Sequence, residues 1–332
     1  MRLLVIGGTS FVGRHFVEAA LAAGHTVTLF NRGKTAPELF PEAEKLVGDR
    51  TKDVEVLKGR EWDAVLDTSG YTPRVVRMSA EALAGSAGFY AFISTISVYE
   101  GFPSPGQTED APLAELADPT VEDVTGETYG GLKVLCEQAV QEIFDGKNVI
   151  IRPGIIVGPH DPTDRFTYLI ARAAKGGEML VPGSLNAPLQ FIDARDLGAW
   201  TLHMIEDAVT GIYNAVGPKV TLADVLTTAR DQEAADTQFV SVDGSFLSEH
   251  DTNPNAVNAF FQDGDDSFVW DVDAEKAIAQ GLTLRSPAVT IADTLAWESS
   301  RPADHPWRAG LNWTKEAGLL AAWHEQAAPV AK

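Results

Sequence analysis

Tyr129 and Lys133 are four residues apart and open a helical pattern. The apolar positions of that pattern continue through Leu135, Val140 and Ile143. Residues at positions i and i+4 share one face of a helix, so the two side chains are expected to point the same way. A neighbouring ammonium group favours the phenolate and lowers a tyrosine pKa that is about 10 in model peptides. Such a pair is suited to proton transfer in carbonyl or alcohol chemistry, unless the lysine is an ordinary surface residue.

A glycine-rich turn at residues 7–13 follows the short apolar run at residues 3–6. A helical pattern then ends at Gly24, and residues 26–30 have the composition of a second strand. A turn of this kind brings backbone N–H groups and a helix N-terminus to a phosphate, so the unit predicts a dinucleotide site. The alternative is a tight turn that uses glycine only for positive φ.

The tip of the second strand is expected to select the cofactor. An acidic residue there would bind the adenosine ribose and favour NAD. This chain has Asn31, Arg32 and Lys34 instead. Since an arginine can clamp a 2′-phosphate, NADP is favoured and NAD is not excluded. The alternative for Arg32 and Lys34 is a solvated turn.

Further strands are predicted at residues 45–47, 63–67, 88–93 and 148–151. Together with the first two they predict an α/β fold with a Rossmann-like doubly wound parallel sheet.

Three features between these strands leave alternatives open. Asp49 either meets the adenine amino group or caps the next helix. The hydroxyl groups at residues 94–97 either hold a substrate oxygen or bond their own backbone. The proline-rich and acidic loop at residues 101–125 either covers the site or is mobile.

The composition sets limits on partners. The 332 residues are 45% hydrophobic and 22% charged, as in a globular protein, and no apolar run reaches the length of about 18 residues expected of a membrane span. The net charge of −21 argues against nucleic acid and anionic membranes. The single cysteine, Cys136, excludes an internal disulfide and predicts a cytoplasmic setting. No metal is predicted, because the acidic residues and histidines show no ligand spacing.

The second half of the chain alternates helical and strand patterns. Helices are expected at 166–175, 194–206, 222–233, 287–298 and 313–326, and strands at 189–192 and 212–214. The acidic stretch 237–272 has no regular pattern, and its Asp263, Asp265 and Asp266 either line a substrate mouth or solvate a surface. The tryptophans of this half are expected to be mostly packing residues, with one or two able to stack on a flat substrate.

The chain resembles the extended short-chain dehydrogenases/reductases of the NAD-dependent epimerase/dehydratase type. The resemblance covers nearly the whole chain. It rests on segments that occur in the family's order, at residues 7–13, 94–99, 129–133, 152–159 and 190–197. It implies an NAD(P)-binding Rossmann domain at residues 1–157, to which part of 189–215 returns, and a smaller C-terminal substrate lobe that is mainly residues 158–332.

The resemblance also implies residue roles. Tyr129 would be the general acid/base, Lys133 would hold the nicotinamide ribose and tune Tyr129, and Thr95 would hold the substrate oxygen. The implied cofactor residues are Gly7, Thr9, Ser10, Phe11, Val12, Gly13, Asn31, Arg32, Asp49, Arg50, Thr68, Ser69, Gly70, Ser94, Tyr129, Lys133, Pro153 and Ile156. The candidate substrate contacts are Thr95, Tyr71, His160 and Arg165, although a local turn in which Asp164 caps the following helix is the alternative for the last two.

The chain departs from the family pattern at four positions. Ser10 replaces the middle glycine of the turn, and Ile155 stands where sugar-nucleotide enzymes often carry an asparagine. Asp193 and Arg195 replace a histidine and an acidic residue of those enzymes. These changes count against a nucleotide-sugar substrate. They place the chain nearer to an atypical branch that includes chloroplast RNA-binding relatives with a similar Gly-Gly-Thr-x-Phe opening.

The expected activity is therefore hydride transfer between a nicotinamide and a carbonyl or alcohol carbon of a small molecule. One alternative is an epimerase or dehydratase that holds NAD tightly and acts on a sugar or nucleotide-sugar. Another is a non-catalytic nucleotide sensor or RNA-binding protein on the same fold. The resemblance also implies a homodimer packed through the Tyr129 helix, on the face near Cys136.

Overall fold

The computed structural model describes residues 1–261 and 268–327. Its strands are β1 (Arg2–Ile6), β2 (Thr26–Asn31), β3 (Glu44–Val47), β4 (Ala64–Asp67), β5 (Tyr90–Ile93), β6 (Asn148–Pro153), β7 (Ile155–Val157), β8 (Glu178–Pro182), β9 (Pro188–Leu189), β10 (Phe191–Asp193), β11 (Gly211–Ala215), β12 (Val220–Thr221) and β13 (Gln238–Val242). Its helices are α1 (Phe11–Ala22), α2 (Pro73–Leu83), α3 (Tyr129–Ile143), α4 (Arg165–Ala173), α5 (Ala194–Glu206), α6 (Leu222–Gln232), α7 (Gly244–Glu249), α8 (Pro254–Val257), α9 (Glu275–Ala279), α10 (Pro287–Ser299) and α11 (Trp313–Ala327).

The chain divides into two compact units. Unit 1 contains Met1–Ile156, Phe191–Gly217 and Val272–Leu284. Unit 2 contains the remaining described residues, from Val157–Gln190, Pro218–Asp271 and the segment that begins at Arg285. Unit 1 is therefore built from three separate stretches of chain.

Unit 1 is organised by a seven-stranded sheet in the order β11-β6-β5-β4-β1-β2-β3. Every adjacent pair in this sheet is parallel. The chain starts in the middle at β1, adds β2 and β3 on one side, and then continues with β4 on the other side of β1. The strand order therefore reverses between β1 and β4, and ligands bind at such a point in open α/β sheets.

Both faces of this sheet are covered, which explains why its strands are almost continuously apolar. On one face Phe16 of α1 and Leu197 of α5 pack with strand residues such as Val5. On the other face Val76 of α2 and Val140 of α3 pack with the alternate strand residues, whose side chains point to that face. The predicted Rossmann-like doubly wound sheet is confirmed.

Unit 2 contains two small sheets and several helices. β8 and β13 pair in parallel, and β9 and β12 pair antiparallel. α4, α6 and α10 pack against one another. Leu180, Phe246 and Leu247 belong to the apolar core of this unit.

Two predictions for the second half were wrong in part. The single strand expected at 189–192 is divided at Gln190, because β9 pairs with β12 whereas β10 leads into α5. The stretch 237–272 is not wholly irregular, since it contains β13, α7 and α8. β13 escapes a local pattern search because it is stabilised by pairing with β8, far earlier in the chain. Asp263, Asp265 and Asp266 lie outside the described residues.

Candidate active site

Glycines shape the turn between β1 and α1. Gly7 has φ of 114° and Gly8 has φ of 91°, a region that L side chains rarely adopt. At the other end of the turn, a Cβ added to Gly13 would lie 2.8 Å from the backbone nitrogen of Gly8. The missing side chain thus lets the first turn of α1 approach the end of β1 closely, as a phosphate site at a helix N-terminus requires.

Ser10 stands immediately before α1, at the position where the family pattern has a glycine. Its φ of −136° is open to any residue, so the replacement introduces no backbone strain. The side chain is exposed and makes no capping hydrogen bond to α1. Serine at this position therefore adds a hydroxyl donor at the helix N-terminus and leaves the turn intact.

Asn31 connects the tip of β2 to the glycine turn. Its Nδ2 donates to the carbonyl of Gly7 at 2.8 Å, and its Oδ1 accepts the N–H of Gly33 at 2.9 Å. The next residue, Arg32, is exposed and makes no hydrogen bond or ion pair with a described residue. Val47 lies next to Gly33 and is 66% exposed. The β2 tip thus presents a cation and an apolar surface to solvent.

Asp49 and Arg50 follow β3 and are both engaged within the protein. The Asp49 carboxylate accepts the N–H and the hydroxyl of Thr51 at 3.0 and 2.8 Å, and these bonds are the main cause that lowers its pKa. The Arg50 guanidinium donates twice to Asp67, at 2.8 and 2.7 Å. The Arg50 side chain is therefore occupied by an ion pair within the protein. Only the Arg50 backbone would be available for the predicted cofactor contact.

The Asp67 carboxylate is fully buried at the end of β4. Burial raises its pKa, but the charge and hydrogen bonds of Arg50 more than offset this, and the pKa lies below its ordinary value. The N–H of Ser69 and the hydroxyl of Tyr90 donate to the same carboxylate at 3.0 and 2.9 Å. This ion pair fixes the end of β4 relative to β3 and β5.

The residues after β4 lie directly against the glycine turn. The hydroxyl groups of Thr68 and Ser69 donate to the carbonyl of Ile6 at 3.1 and 3.4 Å. A Cβ on Gly7 would lie 2.5 Å from the Thr68 hydroxyl. The structure therefore brings together two of the predicted cofactor segments, Gly7–Gly13 and Thr68–Gly70, at the point where the strand order reverses.

Thr95 lies two residues after β5 and is the N-cap of a short 3₁₀ turn at Ile96–Val98. Its hydroxyl accepts the N–H of Ser97 at 3.1 Å and donates to the Ser97 hydroxyl at 3.2 Å. The backbone bond holds the Thr95 oxygen in one orientation. The Ser97 side chain is exposed, so the proton of Thr95 can be redirected from it to a bound carbonyl.

Lys133 is buried on α3, where its Nζ donates to the carbonyls of Gly70 and Ile93 at 2.8 and 2.7 Å. These contacts place the ammonium between the ends of β4 and β5. Its Nζ also lies 4.1 Å from the centroid of the Phe92 ring. Burial lowers the pKa of Lys133 to about 8. Lys133 is thus an ammonium that can lose its proton in mildly basic solution.

Tyr129 is the first residue of α3 and is partly exposed. The first turn of α3 packs against the 3₁₀ turn after Thr95, with Gly130 next to the Ser97 carbonyl. The two segments that carry the predicted Thr95 and the predicted Tyr129 and Lys133 therefore adjoin each other, and Tyr129 and Lys133 are one turn apart on α3. A carbonyl oxygen between Thr95 and Tyr129 would have two hydroxyl donors.

Three further predicted residues are Tyr71, Pro153 and Ile156. Tyr71 is 51% exposed, and its ring centroid lies 5.8 Å from the Nζ of Lys133. Pro153 is buried at the end of β6, and Ile156 is partly exposed in β7. Ile155, which stands where sugar-nucleotide enzymes of the family often have an asparagine, is also partly exposed. It therefore presents an apolar side chain to solvent.

His160 and Arg165 belong to unit 2. The His160 ring lies 5.3 Å from the Trp297 ring, and the exposed Arg165 donates from Nε to the Thr163 hydroxyl at 3.2 Å. Asp164 is the N-cap residue of α4, as the turn alternative expected, but its side chain makes no capping hydrogen bond. The Asp164 carboxylate pairs with Arg301 at 2.7 Å instead.

Two buried charged residues of unit 1 were missed by the sequence analysis. Glu137 and Arg152 form an ion pair at 2.7 Å, and Ser94 donates its hydroxyl to the same glutamate. The signal available in the sequence was the position of Glu137, one helical turn after Lys133.

The expected dimer surface near Cys136 is not available. Cys136 is fully buried in the core between α2, α3 and the sheet, and burial raises its thiol pKa to about 12. The opposite side of α3 borders a groove that is lined by Leu116, Pro119 and Leu135. In the described ranges 1–261 and 268–327, no helix is long and apolar enough to cross a membrane.

Comparison with known proteins gives a family and a fold. A model of the NAD dependent epimerase/dehydratase family matches residues 3–87 and 71–216. The chain is 29% identical over 251 residues to the chloroplast stem-loop binding protein of 41 kDa b from Arabidopsis thaliana. It is 29% identical over 197 residues to the mouse sterol-4-alpha-carboxylate 3-dehydrogenase, decarboxylating.

The matches cover 69% and 53% of this chain, and 62% and 51% of the lengths of those two relatives. Among solved structures, UDP-glucose 4-epimerase from Bifidobacterium longum in complex with NAD⁺ and UDP superposes with a TM-score of 0.69. That superposition covers 92% of this chain and 100% of the other, at 17% identity. At this identity the likeness concerns the fold.

Proposed function

The chain belongs to the NAD dependent epimerase/dehydratase family, and from this premise we propose that it is a reductase or dehydrogenase that transfers hydride between a nicotinamide and a carbonyl or alcohol carbon. The observation that supports the proposal is the packing of the first turn of α3, which begins at Tyr129, against the 3₁₀ turn that follows Thr95, with Lys133 one turn further along α3. The family, and the relatives and structural neighbours of this chain that are named as enzymes, comprise NAD-dependent epimerases, dehydratases and dehydrogenases. An enzymatic function is therefore common to them.

In the proposed reduction, a nicotinamide bound in unit 1 would be the source of the hydride that the carbonyl carbon of the substrate takes up. Thr95 and Tyr129 donate hydrogen bonds to the carbonyl oxygen, and Tyr129 delivers the proton that completes the alcohol. Lys133 keeps a positive charge beside Tyr129, which favours the phenolate that remains after proton transfer. Oxidation of the alcohol runs through the same groups in reverse.

NADP is the proposed cofactor. Arg32 is exposed and makes no hydrogen bond or close ion pair with a described residue, and a guanidinium binds a phosphate through paired hydrogen bonds. The neutral Asn31 is occupied by Gly7 and Gly33, so position 31 itself puts no negative charge beside a 2′-phosphate. The exposed Val47 offers an apolar surface for the adenine ring.

A small substrate with an apolar body fits the site better than a nucleotide-sugar. Ile155 replaces the family's asparagine. Asp193 is held by Arg195 in two charge-assisted hydrogen bonds, at 2.9 and 2.7 Å. The apolar Ile155 offers a sugar hydroxyl no hydrogen-bonding group, and the Asp193 carboxylate is already paired with Arg195.

Two measurements on the purified protein test this proposal. Released nicotinamide nucleotide is measured after denaturation, and the native protein is titrated with NADPH and with NADH. A reductase is expected to be isolated largely empty, to bind NADPH more tightly than NADH, and to oxidise NADPH in a screen of carbonyl compounds. Stoichiometric bound NAD would favour an epimerase or dehydratase that recycles its cofactor. Binding of neither nucleotide would contradict the enzyme proposal.

A second candidate function is favoured by one relative, which is named as a stem-loop binding protein. The net charge of −21 opposes binding to nucleic acid. An electrophoretic shift with a stem-loop RNA at physiological salt would support this alternative, and its absence together with NADPH turnover would exclude it.

A further inference from the structure

Glu137 is a buried carboxylate that receives donors from two strands. The side chains of Glu137 and Arg152 are 2% and 1% exposed. Arg152 donates from Nε and Nη2 to the two carboxylate oxygens at 3.0 and 2.7 Å. The hydroxyl of Ser94 donates to the same glutamate. We call Ser94, Glu137 and Arg152 the buried brace.

Each member of the buried brace adjoins a segment of the candidate site. Ser94 directly precedes Thr95 at the end of β5. Arg152 directly precedes Pro153 at the end of β6. Glu137 is one helical turn after Lys133 on α3. The buried brace therefore joins three segments of the candidate site. They carry Thr95, the proposed acid/base pair of Tyr129 and Lys133, and the predicted nicotinamide contacts.

Arg152 extends the same network to the surrounding chain. Its Nη1 donates to the Tyr99 hydroxyl at 3.3 Å and to the carbonyl of Glu109 at 3.2 Å. The Tyr99 hydroxyl in turn donates to Asn214 Oδ1 on β11 at 2.5 Å. The proline-rich loop that contains Glu109 is thus attached to the network.

Stability alone gives a weak reason for such a pair. A buried ion pair is often no more stabilising than apolar residues of the same volume, because both charges lose their hydration. A network whose donors and acceptors are satisfied does, however, fix the geometry of the groups that it joins. Small displacements of reacting groups are costly in enzymes.

We propose that Glu137 is a positioning residue, which holds Thr95, the start of α3 and the end of β6 in register through Ser94 and Arg152. This inference rests on the proposed hydride transfer. Glu137 is assigned no contact with substrate or cofactor, since its carboxylate is bound by protein donors.

The test compares four variants of the full chain, of which Ser94→Thr serves as the rescue variant. Glu137→Gln removes the charge and keeps the shape, and Ser94→Ala leaves the ion pair in place in case Glu137→Gln does not fold. The matched control is Glu316→Gln in unit 2, because Glu316 is also buried and pairs with Arg172 at 2.7 Å. Each variant is examined for amide hydrogen exchange, thermal unfolding, NADPH affinity and turnover.

In Glu137→Gln and Ser94→Ala, we expect amide exchange at residues 94–99 to become faster by about tenfold or more, beyond any change in global unfolding. We expect kcat to fall by about 10- to 100-fold, with the Kd for NADPH changed by less than about threefold. Ser94→Thr, which restores a hydroxyl, should recover most of the lost turnover. Glu316→Gln should lower the Tm without selective exchange at residues 94–99.

Two results would overturn the inference. One is unchanged exchange at residues 94–99 in both brace variants. The other is a wild-type kcat in variants whose Tm alone has fallen, as a purely structural role requires. If wild-type protein turns over no carbonyl compound while exchange at 94–99 responds as expected, the failure lies with the proposed reaction, and the positioning of Thr95 by Glu137 is supported.

Discussion

Gly130 lies so close to Ser97 that a Cβ added to it would be 2.1 Å from the Ser97 carbonyl oxygen. Gly130 directly follows Tyr129, and Ser97 lies two residues after Thr95. This close approach of α3 to the 3₁₀ turn brings the two hydroxyl-bearing segments together. A side chain at position 130 would push them apart.

Gly130→Ala is therefore expected to damage both stability and activity. The added methyl group meets backbone rather than a flexible side chain, so we expect a loss of at least about 2 kcal/mol in the free energy of unfolding. Denaturant unfolding and kcat measure the two effects. The control is Gly126→Ala, where an added Cβ has no atom within 4 Å and a change below about 1 kcal/mol is expected. Equal stability of the two variants would contradict the close contact.

Tyr129→Phe should lower kcat by about 10²-fold or more, because the phenylalanine cannot donate or accept the proton. The Kd for NADPH should change little. Steady-state kinetics with the substrate from the carbonyl screen gives the first value, and fluorescence titration gives the second. Tyr213→Phe is a suitable control, since the Tyr213 hydroxyl donates to the Thr210 carbonyl. Near-native turnover of Tyr129→Phe would remove Tyr129 from its assigned role.

Arg32→Ala should weaken binding of NADPH much more than that of NADH. A charge-assisted pair of hydrogen bonds to the 2′-phosphate is lost only with NADPH, and we expect a ratio of about tenfold or more. Binding titrations at fixed salt measure both constants. The control is Arg60→Ala, which also removes one positive charge, at a residue that pairs with Glu44. It measures how much nucleotide binding depends on the net charge of the protein alone. An equal loss for both nucleotides would show that Arg32 does not contact the phosphate.

The pH dependence of kcat/KM for reduction is expected to show a basic limb near pH 8. Burial lowers the pKa of Lys133 to about 8, so above that pH the ammonium that the proposed mechanism uses to favour the Tyr129 phenolate is lost, and activity should fall as pH rises. The charges that act on it near that pH are those of Asp67 and Glu137, which raise its pKa, and that of Arg50, which lowers it. Cys136→Ala tests the assignment: because burial raises the Cys136 pKa to about 12, the limb should stay in place.

Arg50→Met should destabilise the protein strongly at neutral pH, by about 3–5 kcal/mol, because it leaves the Asp67 carboxylate buried without its partner. Without Arg50, burial raises the pKa of Asp67 above its unfolded value. The variant then gains stability as pH falls through that raised pKa, whereas the wild-type protein loses stability at low pH because its Asp67 pKa is lowered. The difference in Tm between the wild-type protein and Arg50→Met should therefore become smaller when the pH is lowered from 7 to 5. In Arg77→Met, which removes an exposed pair with Glu142, the difference should be small and constant.

Much of unit 1 could be predicted from local patterns. The apolar runs that became β1, β2, β4 and β6 are buried on both faces, so they stand out in the sequence. The resemblance to extended short-chain dehydrogenases/reductases is confirmed, because its motifs occur in order over the region that the family model matches. The roles of Thr95, Tyr129 and Lys133 stay predictions.

Other features depend on contacts between distant residues. Arg50 could be expected near the cofactor from its position after β3, but its pairing with Asp67 depends on how β3 and β4 lie in the sheet. Gly130 had no evident function until the Ser97 carbonyl was placed beside it. The pairing of β8 with β13 is likewise invisible to patterns within either strand.

The seventh strand of the central sheet, β11, is synthesised long after its neighbour β6. A nascent chain that has emerged only as far as Ile156 therefore exposes the unpaired N–H and C=O groups along one side of β6, an edge that invites pairing with other chains. Completion of the nucleotide-binding sheet must wait for residues 211–215. A truncated chain that ends at residue 156 should accordingly aggregate, and a chaperone that shields this edge during translation would be of most use in that interval.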